Sequence, residues 1–124
     1  RRAEKVAAAL HPFLAVHWRQ GDVFLGPHLR RLKQAALARP PVFAPIVRQA
    51  SRRLRAGSRW PNVFFMTNCR NRTEQAHMER LLPGQQVEWP RQLEGISSYA
   101  QLVLEIAVAA LADRFQAFGD GHFA

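Results

Sequence analysis

Apolar residues in this chain follow two patterns, short continuous runs and helical spacing, and the two patterns alternate along the sequence. The continuous runs FLAV at 13–16 and VFFMT at 63–67 are typical of strands buried on both faces of a parallel sheet. Val87 and the segment RFQAF at 114–118 predict two further short strands. Helical patterns separate the strands, at 3–10, 42–55, 71–82 and 97–112. We therefore expect an α/β fold, a Rossmann-like parallel sheet flanked by helices, in one domain spanning residues 1–124.

The predicted helices carry further local signals. The helix at 42–55 is expected to end at Gly57 and to turn its arginines toward water: Arg48, Arg52, Arg53 and Arg55. Asn71 followed by Glu74 is a capping signal for the next helix. On the last helix, residues at helical spacing form an apolar stripe: Tyr99, Leu102, Val103, Ile106, Ala110 and Leu111. HLRRLKQAALAR, at 28–39, predicts one more short helix.

Length and hydropathy limit the class of protein. The chain has 124 residues, of which 48% are hydrophobic, which is enough for one packed core and argues against wholesale disorder. The longest apolar stretch, LVLEIAVAALA, is too short to span a bilayer and carries Glu105. The sequence opens on Arg1-Arg2 without an initiator methionine or a signal peptide, so we expect a fragment or an excised domain.

The formal net charge is +9, from 18 Lys and Arg against 9 Asp and Glu. Such an excess favours anionic partners, among them nucleic acid, a nucleoside diphosphate and acidic surfaces. Much of the arginine falls on the 42–55 helix, where a solvated helix face is the simpler interpretation. A basic α/β module that contacts nucleic acid through this helix is our third candidate function, because no nucleic-acid motif accompanies the arginines.

The histidines and the single cysteine lack the spacing of a metal site. Cys69 has no partner for an internal disulfide. His11, His28 and His77 form no ligand pattern with it, so we predict no structural zinc and no metal cofactor. The tryptophans can stack on a base, but packing at strand ends is the simpler interpretation: Trp18, Trp60 and Trp89.

Polar residues gather where the predicted strands end. The first strand runs into HWRQGD at 17–22, the second ends in TN at 67–68, and the last leads to 119–123. Ligands of open parallel sheets bind outside the carboxyl ends of the strands, where the connecting loops diverge. These three segments are therefore expected to meet at one edge of the sheet.

Arg19 is the residue of this edge with the clearest chemistry. A guanidinium stays charged at any working pH and grips a phosphate through two parallel hydrogen bonds. Gly21 permits a sharp turn, and Asp22 can hold the arginine or cap the next segment. The alternative is a strand-end ion pair of Arg19 with Asp22, with His17 at the edge of the core. The H-x-R-x-G-D spacing alone does not choose between the two.

Three segments, in this order, resemble the motifs of the GDP-fucose protein O-fucosyltransferases and the wider O-fucosyltransferase-like group. AVHWRQGD matches that family's strand followed by H-x-R-x-G-D. VFFMTN is similar to its strand ending in Thr-Asp, with Asn68 in place of the aspartate. EIAVAALADRF is similar to its third motif, in which an acidic residue, here Glu105, lies eight positions before the Asp of Ala-Asp-x-Phe, here Asp113. The resemblance covers most of the chain.

The resemblance implies the C-terminal, nucleotide-sugar-binding lobe of a GT-B glycosyltransferase. Such an enzyme transfers fucose from GDP-fucose with inversion to a Ser or Thr hydroxyl of a protein, generally without a metal ion, and its N-terminal lobe supplies much of the acceptor site. Arg19 is then the catalytic residue, which holds the diphosphate and stabilises charge on the departing GDP. His17 helps to position the nucleotide, and Glu105 contacts the guanine. The donor-binding residues implied are His17, Arg19, Gly21, Asp22, Asn68, Glu105, Gly121, His122 and Phe123.

Localisation is likewise implied by the resemblance. Eukaryotic members of the family enter the secretory pathway, which implies the lumen of the endoplasmic reticulum or the Golgi. In that pathway Asn71-Arg72-Thr73 is a glycosylation sequon. The same Asn71 is the predicted helix cap, and a capping side chain is less available for modification.

The chain departs from the family's pattern near its end. Aligned without gaps, the family's closing Ser-Ser/Thr-Phe falls on Gly121-His122-Phe123, so the phosphate-binding hydroxyls are replaced by a backbone N–H and an imidazole. The family's Phe-Ile-Gly is here Phe115-Gln116-Ala117, and Asn68 lacks a charge. These departures weigh against catalysis more than against nucleotide binding. A catalytically weak or inactive GDP-binding relative is therefore our second candidate function.

Overall fold

The computed structural model describes residues 2–18, 39–67, 71–90 and 97–116, and within these ranges it contains four helices and four strands. In chain order they are α1 (Arg2–Leu10), β1 (Phe13–Trp18), α2 (Pro40–Arg52), β2 (Asn62–Thr67), α3 (Arg72–Arg80), β3 (Val87–Glu88), α4 (Ser98–Ala110) and β4 (Arg114–Gln116). The predicted alternation of strands and helices is confirmed. The helix predicted over 28–39 lies outside the described residues, apart from its last position.

The described strands form one parallel sheet in the order β3-β2-β1-β4. β1 lies against β2 along its whole length, from Phe13 opposite Asn62 to Trp18 opposite Thr67. On its other side β1 pairs with β4, with Ala15 opposite Phe115. The predicted parallel sheet flanked by helices is thus confirmed, and β1 and β2 are its inner strands.

Each inner strand contributes to two separate hydrophobic cores, because successive side chains of a strand point to opposite faces. One face, which we call the α2/α3 face, packs against α2 and α3 with the side chains of Leu14, Val16, Trp18, Val63 and Phe65. The other, the α1/α4 face, packs against α1 and α4 with those of Phe13, Ala15, Phe64 and Met66. Every residue of β1 except His17 is buried, as its continuous apolar run predicts.

α2 ends earlier than the sequence predicts. Its last residue is Arg52, and the backbone N–H groups of Arg53 and Leu54 bond to carbonyls three residues back, which tightens and closes the final turn. Gly57, predicted to close the helix, instead has φ +62° in a turn between Ala56 and Arg59, which form an antiparallel bridge. The exposed arginines therefore extend from the end of α2 into this turn.

α4 buries two polar side chains and exposes several large apolar ones, which is the opposite of the usual pattern for a helix that packs on a core. Its buried positions include Gln101 and Glu105, which are 6% and 7% exposed. The predicted apolar stripe lies on the opposite side, where Leu102, Val103 and Ile106 are 46% to 49% exposed. Val108 is the residue of α4 that belongs to the buried core of the α1/α4 face. Within the described residues no helix has the length and apolar character to cross a membrane.

The cap predicted at α3 is confirmed: the side-chain oxygen of Asn71 accepts a hydrogen bond from the backbone N–H of Glu74, at 3.1 Å. We expect Asn71→Ala to lower the free energy of unfolding by about 1 kcal/mol, because the N–H of Glu74 loses its acceptor. Asn71→Asp retains an acceptor oxygen at the helix N-terminus and is expected to unfold close to the wild-type midpoint. Urea denaturation of the three proteins measures the difference, and equal midpoints for Ala and Asp variants would contradict the capping role.

Candidate functional site

The three strands whose ends carry the predicted site lie next to one another in the sheet. β1 lies between β2 and β4, so the segments that follow Trp18, Thr67 and Gln116 leave from neighbouring strands. Trp18 and Thr67 are themselves paired, and the two strands end at the same level. The strand order therefore brings the starting points of the predicted loops to one edge, as an open parallel sheet requires of a ligand site.

His17 is the described residue of the H-x-R-x-G-D segment that carries ionisable chemistry. It is half-buried at the carboxyl end of β1, opposite Met66 in register. Since Phe13 and Ala15 of the same strand face α1 and α4, the alternation of the strand places His17 on the α1/α4 face. His17 is thus on the side of the sheet that also holds Glu105.

Glu105 is a buried carboxylate on the inward side of α4. Its Oε2 accepts a hydrogen bond from Nε2 of Gln101, one helical turn earlier, at 3.0 Å. The two residues are spaced four apart, so their side chains lie on one helix face. A charged group is rarely buried without polar partners, and the amide of Gln101 both supplies one and orients the carboxylate.

A cavity of about 370 Å³ opens beside this pair. Its walls come from α1, β2, the end of β3 and α4, and its lining residues are Arg2, Val6, Phe64, Glu88, Trp89, Pro90, Gln101, Leu104, Glu105 and Val108. The volume falls in the range, roughly 300–1,000 Å³, that small-molecule sites occupy. Apolar walls with a few polar groups are the usual composition of such a site.

The polar groups of the cavity are two carboxylates, one carboxamide and one guanidinium. Glu105 is the one that the sequence analysis singled out. Glu88, Gln101 and Arg2 were missed, because they come from separate elements and no motif joins them. Pairing of Glu88 with Phe64 across β3 and β2 places both residues on the α1/α4 face. Only the four-residue spacing of Gln101 and Glu105 offered a signal in the sequence.

Most residues predicted to bind the donor lie outside the described part of the chain. They are Arg19, Gly21, Asp22, Asn68, Gly121, His122 and Phe123. Of the two that are described, Glu105 lines the cavity, and His17 is not among its lining residues. The structure thus brings Glu105 into a concave site and places His17 on the same face of the sheet.

Asp113, the second acidic residue of the third motif, has a structural role: it anchors the start of β1. It exchanges two hydrogen bonds with Phe13: the N–H of Phe13 donates to Oδ2 at 2.8 Å, and the N–H of Asp113 donates to the carbonyl of Phe13 at 3.0 Å. Nδ1 of His11 lies 3.1 Å from the same Oδ2. These contacts are at the amino-terminal end of β1, on the opposite edge of the sheet from His17. Asp113 therefore sets where β1 begins.

The tryptophans pack against neighbouring side chains, as the simpler interpretation predicts, and Trp89 also lines the cavity. Trp18 is completely buried, and its ring centroid lies 5.7 Å from that of Phe65. Trp89 stacks on Phe65 at 4.5 Å, and Trp60 lies under the guanidinium of Arg48. Among the residues that the structure describes, no group of three or more His, Cys, Asp or Glu side chains is arranged to hold a metal ion.

Comparison with known proteins found no match among family models, curated proteins or solved structures. The class that the coordinates themselves define is an α/β domain with an all-parallel sheet covered by helices on both faces.

The anchoring role of Asp113 leads to a stability prediction. Asp113→Ala leaves the N–H of Phe13, a fully buried residue, without its acceptor, and we expect a loss of about 1–3 kcal/mol in the free energy of unfolding. Asp113→Asn keeps an amide oxygen at the same place and should recover at least half of that loss. Urea unfolding of both variants is the measurement. Equal destabilisation by Ala and Asn would mean that the hydrogen bond to Phe13 is not what Asp113 contributes.

Proposed function

We propose that this chain is the nucleotide-sugar-binding lobe of a GT-B fucosyltransferase, that it binds GDP-fucose, and that its enzyme transfers fucose with inversion to a Ser or Thr hydroxyl of a protein. The observation that carries the proposal is the position of Glu105. The acidic residue of the third motif is buried on α4, is oriented by Gln101 and lines a cavity of small-molecule size.

The chemistry of Glu105 suits a guanine base. The Watson–Crick edge of guanine carries adjacent N–H donors, and one carboxylate accepts from both of them. Adenine presents a ring acceptor next to its amino group, and that acceptor would face the carboxylate with like partial charge. Phe64 and Leu104 contribute apolar wall to the same cavity. A cavity of this composition favours GDP over ADP.

The order of the strands supports the diphosphate site. In the proposed complex the base lies against α4, and the phosphates extend toward the carboxyl ends of β1 and β2, the strand that Arg19 follows in the sequence being β1. Arg19 would neutralise the diphosphate and the charge that develops as the bond to fucose breaks, and a fixed guanidinium does this with little reorganisation. His17, at the end of β1, would help to position the nucleotide. The acceptor site would come from an N-terminal lobe of the same enzyme.

A second candidate, a GDP-binding relative with weak or no transferase activity, is favoured by one observation. Gly121 and His122 stand where the family has the hydroxyls that hold phosphate. The two candidates share the base site and differ in catalysis. Transfer of labelled fucose from GDP-fucose to a Ser- or Thr-containing acceptor, at a rate normal for the family, would exclude the second candidate.

Titration calorimetry of the full chain with GDP and with ADP tests the base site. We expect GDP to bind more tightly, and Glu105→Gln to weaken GDP about 10- to 100-fold, since it removes a charge-assisted pair of hydrogen bonds. ADP should be affected much less by the same substitution. The matched control is Glu88→Gln, which neutralises the other carboxylate of the cavity and should leave the preference for GDP intact.

Two results would overturn the assignment. Equal affinity for GDP and ADP in the wild-type chain would show that the cavity does not recognise guanine. Loss of the preference in Glu88→Gln but not in Glu105→Gln would move base recognition to Glu88. Arg19→Ala tests the diphosphate separately, because it should weaken GDP and leave free guanosine unaffected.

A further inference from the structure

The arginines at the end of α2, all exposed except the half-buried Arg48, form a second site with no role in the proposed nucleotide complex. Arg48 and Arg52 lie on the last turns of α2, and Arg55 lies in the turn that follows. Together with Arg53 and Arg59 they define what we call the arginine surface. It surrounds the chain just before β2 begins, so it lies at the amino ends of the strands, on the edge opposite His17.

Trp60 holds two of these guanidinium groups in place. The guanidinium carbon of Arg48 lies 3.6 Å from the centre of the Trp60 ring, and that of Arg55 lies 4.8 Å from it. Such cation–π contacts stabilise an exposed cation and fix its plane. The second protein contact of Arg55 is local, because its Nε donates to the carbonyl of Gly57 at 2.6 Å. Both side chains are therefore oriented before any ligand arrives.

Arg48 is also fixed by hydrogen bonds. Its Nη1 donates to the carbonyl of Pro83 and, at 3.2 Å, to Oε1 of Gln85. Gln85 in turn donates through Nε2 to Ser51 at 2.9 Å and to the carbonyl of Pro61 at 3.0 Å. The segments before β2 and before β3 are thereby tied to α2, and the surface that carries the arginines is rigid.

No carboxylate neutralises the arginine surface within the part of the chain that the structure describes: none of its five arginines forms an ion pair there. Burial lowers the pKa of Arg48 from its ordinary value, and the charges of Arg52 and Arg55 lower it further. Like charges held close together repel, and a bound anion relieves that repulsion. The surface is thus arranged for an external anion.

The composition of the arginine surface limits the classes of anion that it can bind. All of its cations are guanidinium groups, which are weakly hydrated and match the planar or tetrahedral faces of oxyanions. Trp60 is already covered by guanidinium, and the exposed large aromatic residues among those described, Tyr99 and Phe115, belong to α4 and β4, so no free ring accompanies these arginines for base stacking. Single-stranded nucleic acid depends on such rings. A sulfate ester is weakly hydrated as well, and its pairing with guanidinium costs less dehydration than that of a phosphate.

We propose that the arginine surface binds a sulfated polysaccharide through its sulfate groups. Arg48 and Arg55, oriented by Trp60, and Arg52 beside them contact successive sulfates along the polymer. Because the arginine surface adjoins α2 and the cavity of the proposed nucleotide site lies on the α1/α4 face, both can be occupied at once, and this proposal stands independently of the proposed function.

Binding of the full chain to an immobilised heparin-derived oligosaccharide tests the proposal. We expect affinity that falls with salt, and a loss of about tenfold or more in the double variant Arg52→Gln/Arg55→Gln, because two charge-assisted contacts are removed. The matched control is Arg39→Gln/Arg72→Gln, which removes the same charge at the amino ends of α2 and α3, at the other edge of the sheet. It should change affinity less than about twofold at physiological ionic strength, because screening confines the effect of distant charges.

Further comparisons distinguish sulfate recognition from binding by net charge and from binding to nucleic acid. Equal losses in the two double variants would show that net charge alone drives binding, and would overturn it. Equal affinity for the desulfated oligosaccharide would exclude sulfate recognition, and tighter binding to duplex DNA at the same salt would assign the surface to nucleic acid instead. Arg52→Gln alone, whose side chain makes no hydrogen bond or ring contact with the described part of the chain, should still weaken binding if the double variant fails to fold.

Discussion

Burial of β1 on both faces is the constraint on which the rest of this structure depends. β1 is an inner strand of the sheet, and it is covered by α1 and α4 on one side and by α2 and α3 on the other. Asp113 fixes the start of β1, and Asn62 helps by donating through Nδ2 to the carbonyl of Leu10 at 2.7 Å. Because the strand has a fixed start and a fixed register, the point at which the chain emerges after Trp18 is fixed as well. The carboxyl end of β1 is therefore held in a defined position next to that of β2.

α4 departs from the usual pattern of a helix that covers a sheet. It turns Gln101 and Glu105 inward and leaves Leu102, Val103 and Ile106 exposed. Burial of a carboxylate and an amide contributes less to stability than burial of the aliphatic side chains that the same helix carries. Burial of polar groups at the expense of stability is common where those groups bind a ligand, and it agrees with the position of Glu105 on the cavity wall.

The helices and strands could be predicted from the sequence, but which residues they bring together could not. Continuous apolar runs predict buried parallel strands, and β1 and β2 follow them closely. The cap at Asn71 depends on neighbours in sequence, so it was predictable too. Periodicity locates a stripe on α4 but does not say which side meets the sheet, because that depends on α1 and on the end of β3. Glu88 and Arg2 line the same cavity as Glu105 only because of tertiary packing, which no local sequence pattern predicts.

The sheet also separates two kinds of surface. Most of the described arginines belong to the side of α2 and α3 and to the segments that follow them, whereas α4 carries its aliphatic stripe on the other side, with Tyr99 at its start 76% exposed. Most of the described arginines and the aliphatic stripe of α4 therefore lie on opposite sides of the sheet. A ligand that approaches the domain from the side of α2 and α3 meets mainly arginines, and one that approaches α4 meets mainly aliphatic side chains.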